Sequence, residues 1–86
     1  MKIVNILGME FEQWTYKSCI ANFGIGDNWA TLYDIQSNEP GKGHATKLLI
    51  KAKKYYENLG KRFGGSVALN KRMKHLYQKL DIHEYL

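Results

Sequence analysis

Glu39-Pro40-Gly41-Lys42-Gly43-His44-Ala45-Thr46-Lys47-Leu48-Leu49 is the stretch on which the reading of this chain turns. Two glycines form a polar turn that opens directly into an amphipathic run, and a strand-like segment, residues 29–36, leads into it. This strand–turn–helix order suits the binding of a diphosphate. Glycines let the backbone curl so that successive N–H groups point at one anion, and the helix start adds partial positive charge. The spacing excludes the two best-known phosphate loops. A Walker A loop reads G-x-x-x-x-G-K-[ST], whereas Lys42 stands between the glycines here; a dinucleotide fingerprint needs Gly or Ala where this chain has Thr46.

Outward from the loop, the pattern reads as a mixed α/β (α+β) fold. Residues 15–23 and 29–36 are rich in aromatic and β-branched types, and Gly24-Ile25-Gly26-Asp27-Asn28 between them predicts an antiparallel hairpin. Residues 1–7 read as a further strand, whereas residues 9–14 fit no single pattern. After the loop, Ala45, Leu48, Leu49, Ala52, Tyr55 or Tyr56, and Leu59 recur at helical spacing, with Lys47, Lys51 and Lys54 opposite, so residues 44–59 form a helix ended by Gly60. Residues 63–69 read as a strand weakened by Gly64-Gly65. Asn70 is a good N-cap for a second helix whose buried face is Met73, Leu76, Tyr77 and Leu80, and residues 83–86 read as a short closing strand. A strand, a helix and a strand in that order imply a crossover and a parallel pair. In such a sheet a ligand belongs at the carboxyl ends of the parallel strands, and both the 40–46 loop and Asn70 fall there.

Composition narrows the class. A chain of 86 residues is sized for one domain near the lower limit for a self-sufficient core. Its hydrophobic content of 44%, with six tyrosines and two tryptophans, argues against disorder. The absence of a long apolar run or a secretory leader pattern leads to the expectation of a soluble, cytoplasmic protein. One cysteine, Cys19, rules out an internal disulfide and reads as a small core residue; no residues have metal-ligand spacing, so no metal is expected. Charge is uneven: residues 1–43 hold three basic and five acidic groups, net −2, and residues 44–86 hold ten and three, net +7. A basic second half fits nucleic acid or a ligand with several phosphates.

Two motifs carry a resemblance. The loop Pro40-Gly41-Lys42-Gly43-His44-Ala45 resembles the acyl-CoA loop of the GNAT acetyltransferase superfamily, Gln/Arg-x-x-Gly-x-Gly/Ala, with Pro40 in place of Gln/Arg. One helix and one strand later, Asn70-Lys71-Arg72-Met73-Lys74-His75-Leu76-Tyr77-Gln78-Lys79-Leu80-Asp81-Ile82 resembles that family's Asn-x5-Leu-Tyr-x-Lys-Leu-Gly-Phe, with Asp81-Ile82 replacing Gly-Phe. The resemblance covers residues 16–82, the cofactor-binding core of the family. It implies a GNAT-like mixed sheet in which antiparallel strands precede a β-α-β-α unit and a short closing strand.

The resemblance also implies roles. Main-chain groups of Ile35, Gln36 and Ser37 would hold the pantetheine arm of acetyl-CoA, and the loop from Gly41 through Lys42, Gly43, His44 and Ala45 to Thr46 would hold its pyrophosphate. Asn70 would contact the arm, and Tyr77 would be the general acid that protonates the departing thiolate. For the base that accepts the amine's proton, Asp34 is the first candidate, with Glu39 and His44 behind it; His75 and His83 read as surface residues. The acceptor is a primary amine, open to a macromolecule because the chain is shorter than its relatives; alternatives are a catalytically silent interaction module and a nucleic-acid binder. Exposed sheet edges make a homodimer a further expectation.

Overall fold

The computed structural model describes residues 1–39 and 41–84. Its elements run β1 (Lys2–Ile6), β2 (Met9–Tyr16), β3 (Cys19–Ile25), β4 (Trp29–Ser37), α1 (His44–Asn58), β5 (Arg62–Gly65), α2 (Lys71–Lys79) and β6 (His83–Glu84). The strands form one sheet whose spatial order is the chain order. β1 to β4 are antiparallel, and β4–β5 and β5–β6 are parallel, with α1 and α2 as the crossovers. The expected plan of antiparallel strands, then helices, then a closing strand is what the chain adopts.

Several boundaries differ from expectation. Residues 15–23 are not one strand: Lys17, at φ 54°, and Ser18 turn the chain between β2 and β3. Residues 9–14, unassigned from sequence, belong to β2. Mixed faces explain the miss, because Met9, Phe11, Gln13 and Thr15 point to one side of the sheet and Glu10, Glu12, Trp14 and Tyr16 to the other, so neither side is uniformly apolar. The expected strand at 63–69 ends at Gly65. Of the closing strand, His83 and Glu84 form β6, and the remainder of the expected 83–86 segment lies outside the described residues.

Both helices pack on one face. Leu48, Leu49, Ala52 and Tyr56 of α1 and Met73, Leu76 and Tyr77 of α2 share a single core with Cys19, Ala21, Phe23, Ala30, Leu32 and Phe63. Tyr56, rather than Tyr55, is the residue driven inward, and it is fully buried. Its ring lies 5.4 Å from that of Phe23 and 6.3 Å from that of Phe63. Its hydroxyl donates to Glu12 Oε1 at 2.7 Å and accepts from Trp14 Nε1 at 2.9 Å. Burial, with the Glu12 bond adding to it, pushes the phenol pKa far above its ordinary value.

β4 contains one extra residue. Asn22 pairs with Asp34 and Phe23 with Leu32, which leaves Tyr33 as a bulge. Leu32 and Ile35 are three positions apart in β4, yet both pack on the helix-side core, an arrangement that strict alternation forbids.

Tyr56→Phe is expected to lower the unfolding free energy by about 2 kcal/mol at neutral pH, because it strands the Glu12 carboxylate and the Trp14 N–H. A phenol whose pKa is raised by folding stabilises fully below its unfolded value of ~10 and loses that contribution as pH climbs from there. Urea denaturation should therefore show the gap between wild type and variant narrowing in alkali.

Candidate functional site

The β4–β5 ladder stops early. Trp29, Ala30, Thr31 and Leu32 pair with Arg62, Phe63, Gly64 and Gly65, and among the described residues no strand continues on that side of the rest of β4. Ser66 closes the fork: its N–H donates to the Leu32 carbonyl at 2.8 Å and its hydroxyl to the Tyr33 carbonyl at 3.2 Å. Past this point the chain leaves the sheet, so Asp34 to Ser37 present a main-chain edge without a β5 partner. A cleft of about 240 Å³ lies beside that edge, lined by Ile35, Gln36, Ser37, Ala45, Asn70 and Arg72 among others.

A second hollow of about 260 Å³ shares Ser37, Ala45, Arg72 and Leu76 with the first and extends the groove over the start of α1. Gly41, Gly43, His44 and Thr46 line it. Gly43 is the N-cap of α1 with φ 78°, a left-handed geometry that favours glycine, and it caps without a side-chain hydrogen bond. The first-turn amides therefore have neither an intrahelical nor a side-chain partner, and no acidic residue occupies that turn. The far wall carries Arg72, His75 and Lys79 of α2, while Glu39 adds a carboxylate to the lining. Arg72 also acts through the wall on Cys19, whose thiol pKa is raised by burial and drawn back by the guanidinium.

Most of the sequence-derived residues thus converge: Ile35, Gln36, Ser37, Gly41, Gly43, His44, Ala45, Thr46 and Asn70 all line the groove. Lys42 is exposed in the same loop but is not part of the lining. Asn70 caps α2 as expected, its Oδ1 accepting from Met73 N–H at 2.9 Å. His44 packs edge-on against Tyr16, and its Nδ1 is buried without a hydrogen-bond partner. Of Arg72, His75 and Lys79, only His75 was singled out from sequence, as a surface residue, and none was placed in the site. Their spacing along α2, one and two turns apart, was the signal that they share a side with Leu76.

The two catalytic candidates lie elsewhere. Tyr77 is buried, packs beneath Gly65 and donates its hydroxyl to the Ser66 carbonyl at 2.9 Å, at the fork of β4 and β5. Burial raises its pKa, the Ser66 side chain lowers it, and Glu84 raises it further. Asp34 stands on the face opposite the helices. Its Oδ1 accepts from Asn22 Nδ2 at 3.0 Å, and Asn22 Oδ1 accepts in turn from Gln13 Nε2 at 3.0 Å. The same open face carries a hollow of about 490 Å³ lined by Phe11, Gly24, Trp29, Thr31 and Tyr33 among others. Among the described residues no cluster of His, Cys, Asp and Glu is arranged to hold a metal ion, and no helix is long and apolar enough to cross a membrane.

With this geometry in hand, comparison with known proteins found no matching family model, no matching curated protein and no matching solved structure. The groove therefore has to be read from its own chemistry.

Gly65 is the seat of Tyr77, since a Cβ there would run into the phenol ring and its oxygen. Gly65→Ala should cost about 1–3 kcal/mol in chemical denaturation. Asn70→Ala should cost about 1 kcal/mol through loss of the cap alone.

Proposed function

We propose that this chain is a compact GNAT-like protein that binds acetyl-CoA in the groove and transfers its acetyl group to a primary amine. The observation that supports this reading is the convergence, in one groove, of an unpaired strand edge, an uncapped helix start and a basic helix wall. Asn38 N–H donates to the Ser18 carbonyl, so by alternation Gln36 and Asp34 also bond to β3, and the N–H and C=O groups of Ile35 and Ser37 point outward to match the two amides of a pantetheine arm. The first-turn amides of α1, with Arg72 and Lys79 facing them, match a diphosphate. Asn70 lines the cleft on the arm's side.

Acetyl transfer breaks the C–S bond of a thioester and forms a C–N bond to a neutral amine. The departing sulfur takes a proton, and the nitrogen gives one up. Tyr77 is a phenol, protonated at neutral pH at its ordinary pKa of ~10 and more firmly so when buried, and its hydroxyl sits at the fork where an arm lying along β4 would end. Delivering that proton requires the hydroxyl to exchange the Ser66 carbonyl for the sulfur. Asp34, held by Asn22 on the open face, is the acceptor for the amine's proton, directly or through water.

Calorimetric titration with acetyl-CoA tests the binding half. Saturable binding is expected, weakened at least about tenfold by Arg72→Glu and by Gly43→Glu. Arg72 is exposed, so its variant leaves the fold intact. No binding to wild type would overturn the reading. Tyr77→Phe is expected to keep cofactor binding while lowering turnover of an amine acceptor by about 10²-fold or more.

A further inference from the structure

The β1–β2 hairpin combines exposed apolar side chains with an open strand edge. Its turn is Leu7-Gly8, with φ values of 51° and 82°, the all-positive pattern of a tight two-residue hairpin turn. Asn-Gly satisfies that pattern without strain; a leucine is a poor occupant of left-handed backbone. Leu7 is also 99% exposed. A bulky apolar residue is thus held in unfavourable backbone geometry at a position where its own chain gives it nothing to pack against. Ile6 and Met9, which flank the turn, are exposed, as are Ile3 and Met1 farther along β1.

The edge beside this turn is unprotected. β1 pairs on one side with β2, and among the described residues no strand pairs with its other side. It has no proline, no bulge and one charged residue, Lys2, so the usual devices that blunt an edge strand are missing. Among the described residues the other edge strand, β6, spans His83–Glu84. β1 also belongs to the half of the chain with net charge −2, away from the +7 half, so two copies meeting at β1 keep their basic halves apart.

We propose that two copies of this chain associate by antiparallel pairing of β1 with β1, which joins the two sheets into one. The register follows from the hairpin. Ile6 and Met9 flank the turn and form a hydrogen-bonded pair, as do the pairs two residues on, Val4–Phe11 and Lys2–Gln13. The N–H and C=O groups of Ile3 and Asn5 are then the ones that point outward. A two-fold axis at Val4 sets Ile3 of one copy opposite Asn5 of the other, where they exchange both hydrogen bonds, and the axis repeats this pair. The same register sets Val4 against Val4, Lys2 against Ile6, and the exposed Leu7 against the exposed Met1. No other antiparallel register overlaps the whole of residues 1–7 and also covers Leu7.

Sedimentation equilibrium at micromolar concentration reads the association, and cysteine cross-linking reads the register. Wild type should sediment as a dimer. Leu7→Asn, which suits the turn better, should raise or hold the thermal midpoint of the protomer while weakening the dimer at least about tenfold. The one native cysteine, Cys19, is fully buried and stays out of the reaction. Oxidation with copper–phenanthroline should link Val4→Cys to itself, and Lys2→Cys to Ile6→Cys when the two are mixed, but should leave Lys2→Cys alone unlinked. A wild type that stays monomeric would overturn the proposal. So would equal cross-linking of Val4→Cys and Lys2→Cys, which would mark random encounter.

Discussion

The bond from Tyr56 to Glu12 and Trp14 is the contact on which the rest of the architecture depends. Burying a phenol between Phe23 and Phe63 contributes apolar area, but its hydroxyl would be costly without partners. Glu12 and Trp14 provide them from two positions of one strand, which fixes α1 both along β2 and across it. Once α1 is set, its first turn must begin beyond the end of β4, and its end must return the chain to pair with β4 in parallel. The Lys61 N–H to Tyr56 carbonyl bond, at 3.0 Å, ties that return to the same residue. The position of the groove is thus a consequence of where one ring is seated.

The groove itself arises from two local departures from regularity. The bulge at Tyr33 lets β4 keep Leu32 and Ile35 both on the core side, so the strand remains anchored past the point where its neighbour stops. β5 stops because Gly65 gives way to Ser66, whose two bonds to β4 close the fork and send the chain outward. Glu84 braces the departing segment by accepting from Ala68 N–H at 2.7 Å. Tyr77 fills the space under Gly65 and locks the same corner from below.

Much of this was legible in the residues. The helical spacing from Ala45 to Leu59, the cap at Asn70 and the crossover logic fixed the β4-α1-β5-α2 unit and brought the loop and Asn70 to one end of the sheet. The antiparallel half was harder. In β2 polar and apolar residues alternate, but Glu12 is polar on the covered face and Phe11 apolar on the open one, so hydropathy gave no clean period. The Tyr16-Lys17-Ser18-Cys19 turn lacks glycine, asparagine and proline, and nothing local marks it. The bulge was invisible because it exists only relative to a partner strand. In the site, residue types located the glycine loop, but which face of α2 meets it is a packing outcome, and that decided Arg72, His75 and Lys79.

Because the sheet's spatial order repeats the order of the chain, every strand is hydrogen-bonded to the one made just before it. Such a sheet can be assembled by accretion: each new segment finds a finished edge waiting, and no strand has to be inserted between two that are already joined. The entropic cost of closing each loop is limited to a hairpin or a single crossover helix, which favours rapid folding for a sheet of this size. It also means that a nascent chain leaving a ribosome can lay down its antiparallel half before the groove has been synthesised. The groove is then the last feature to take shape, and the part most exposed to errors late in synthesis.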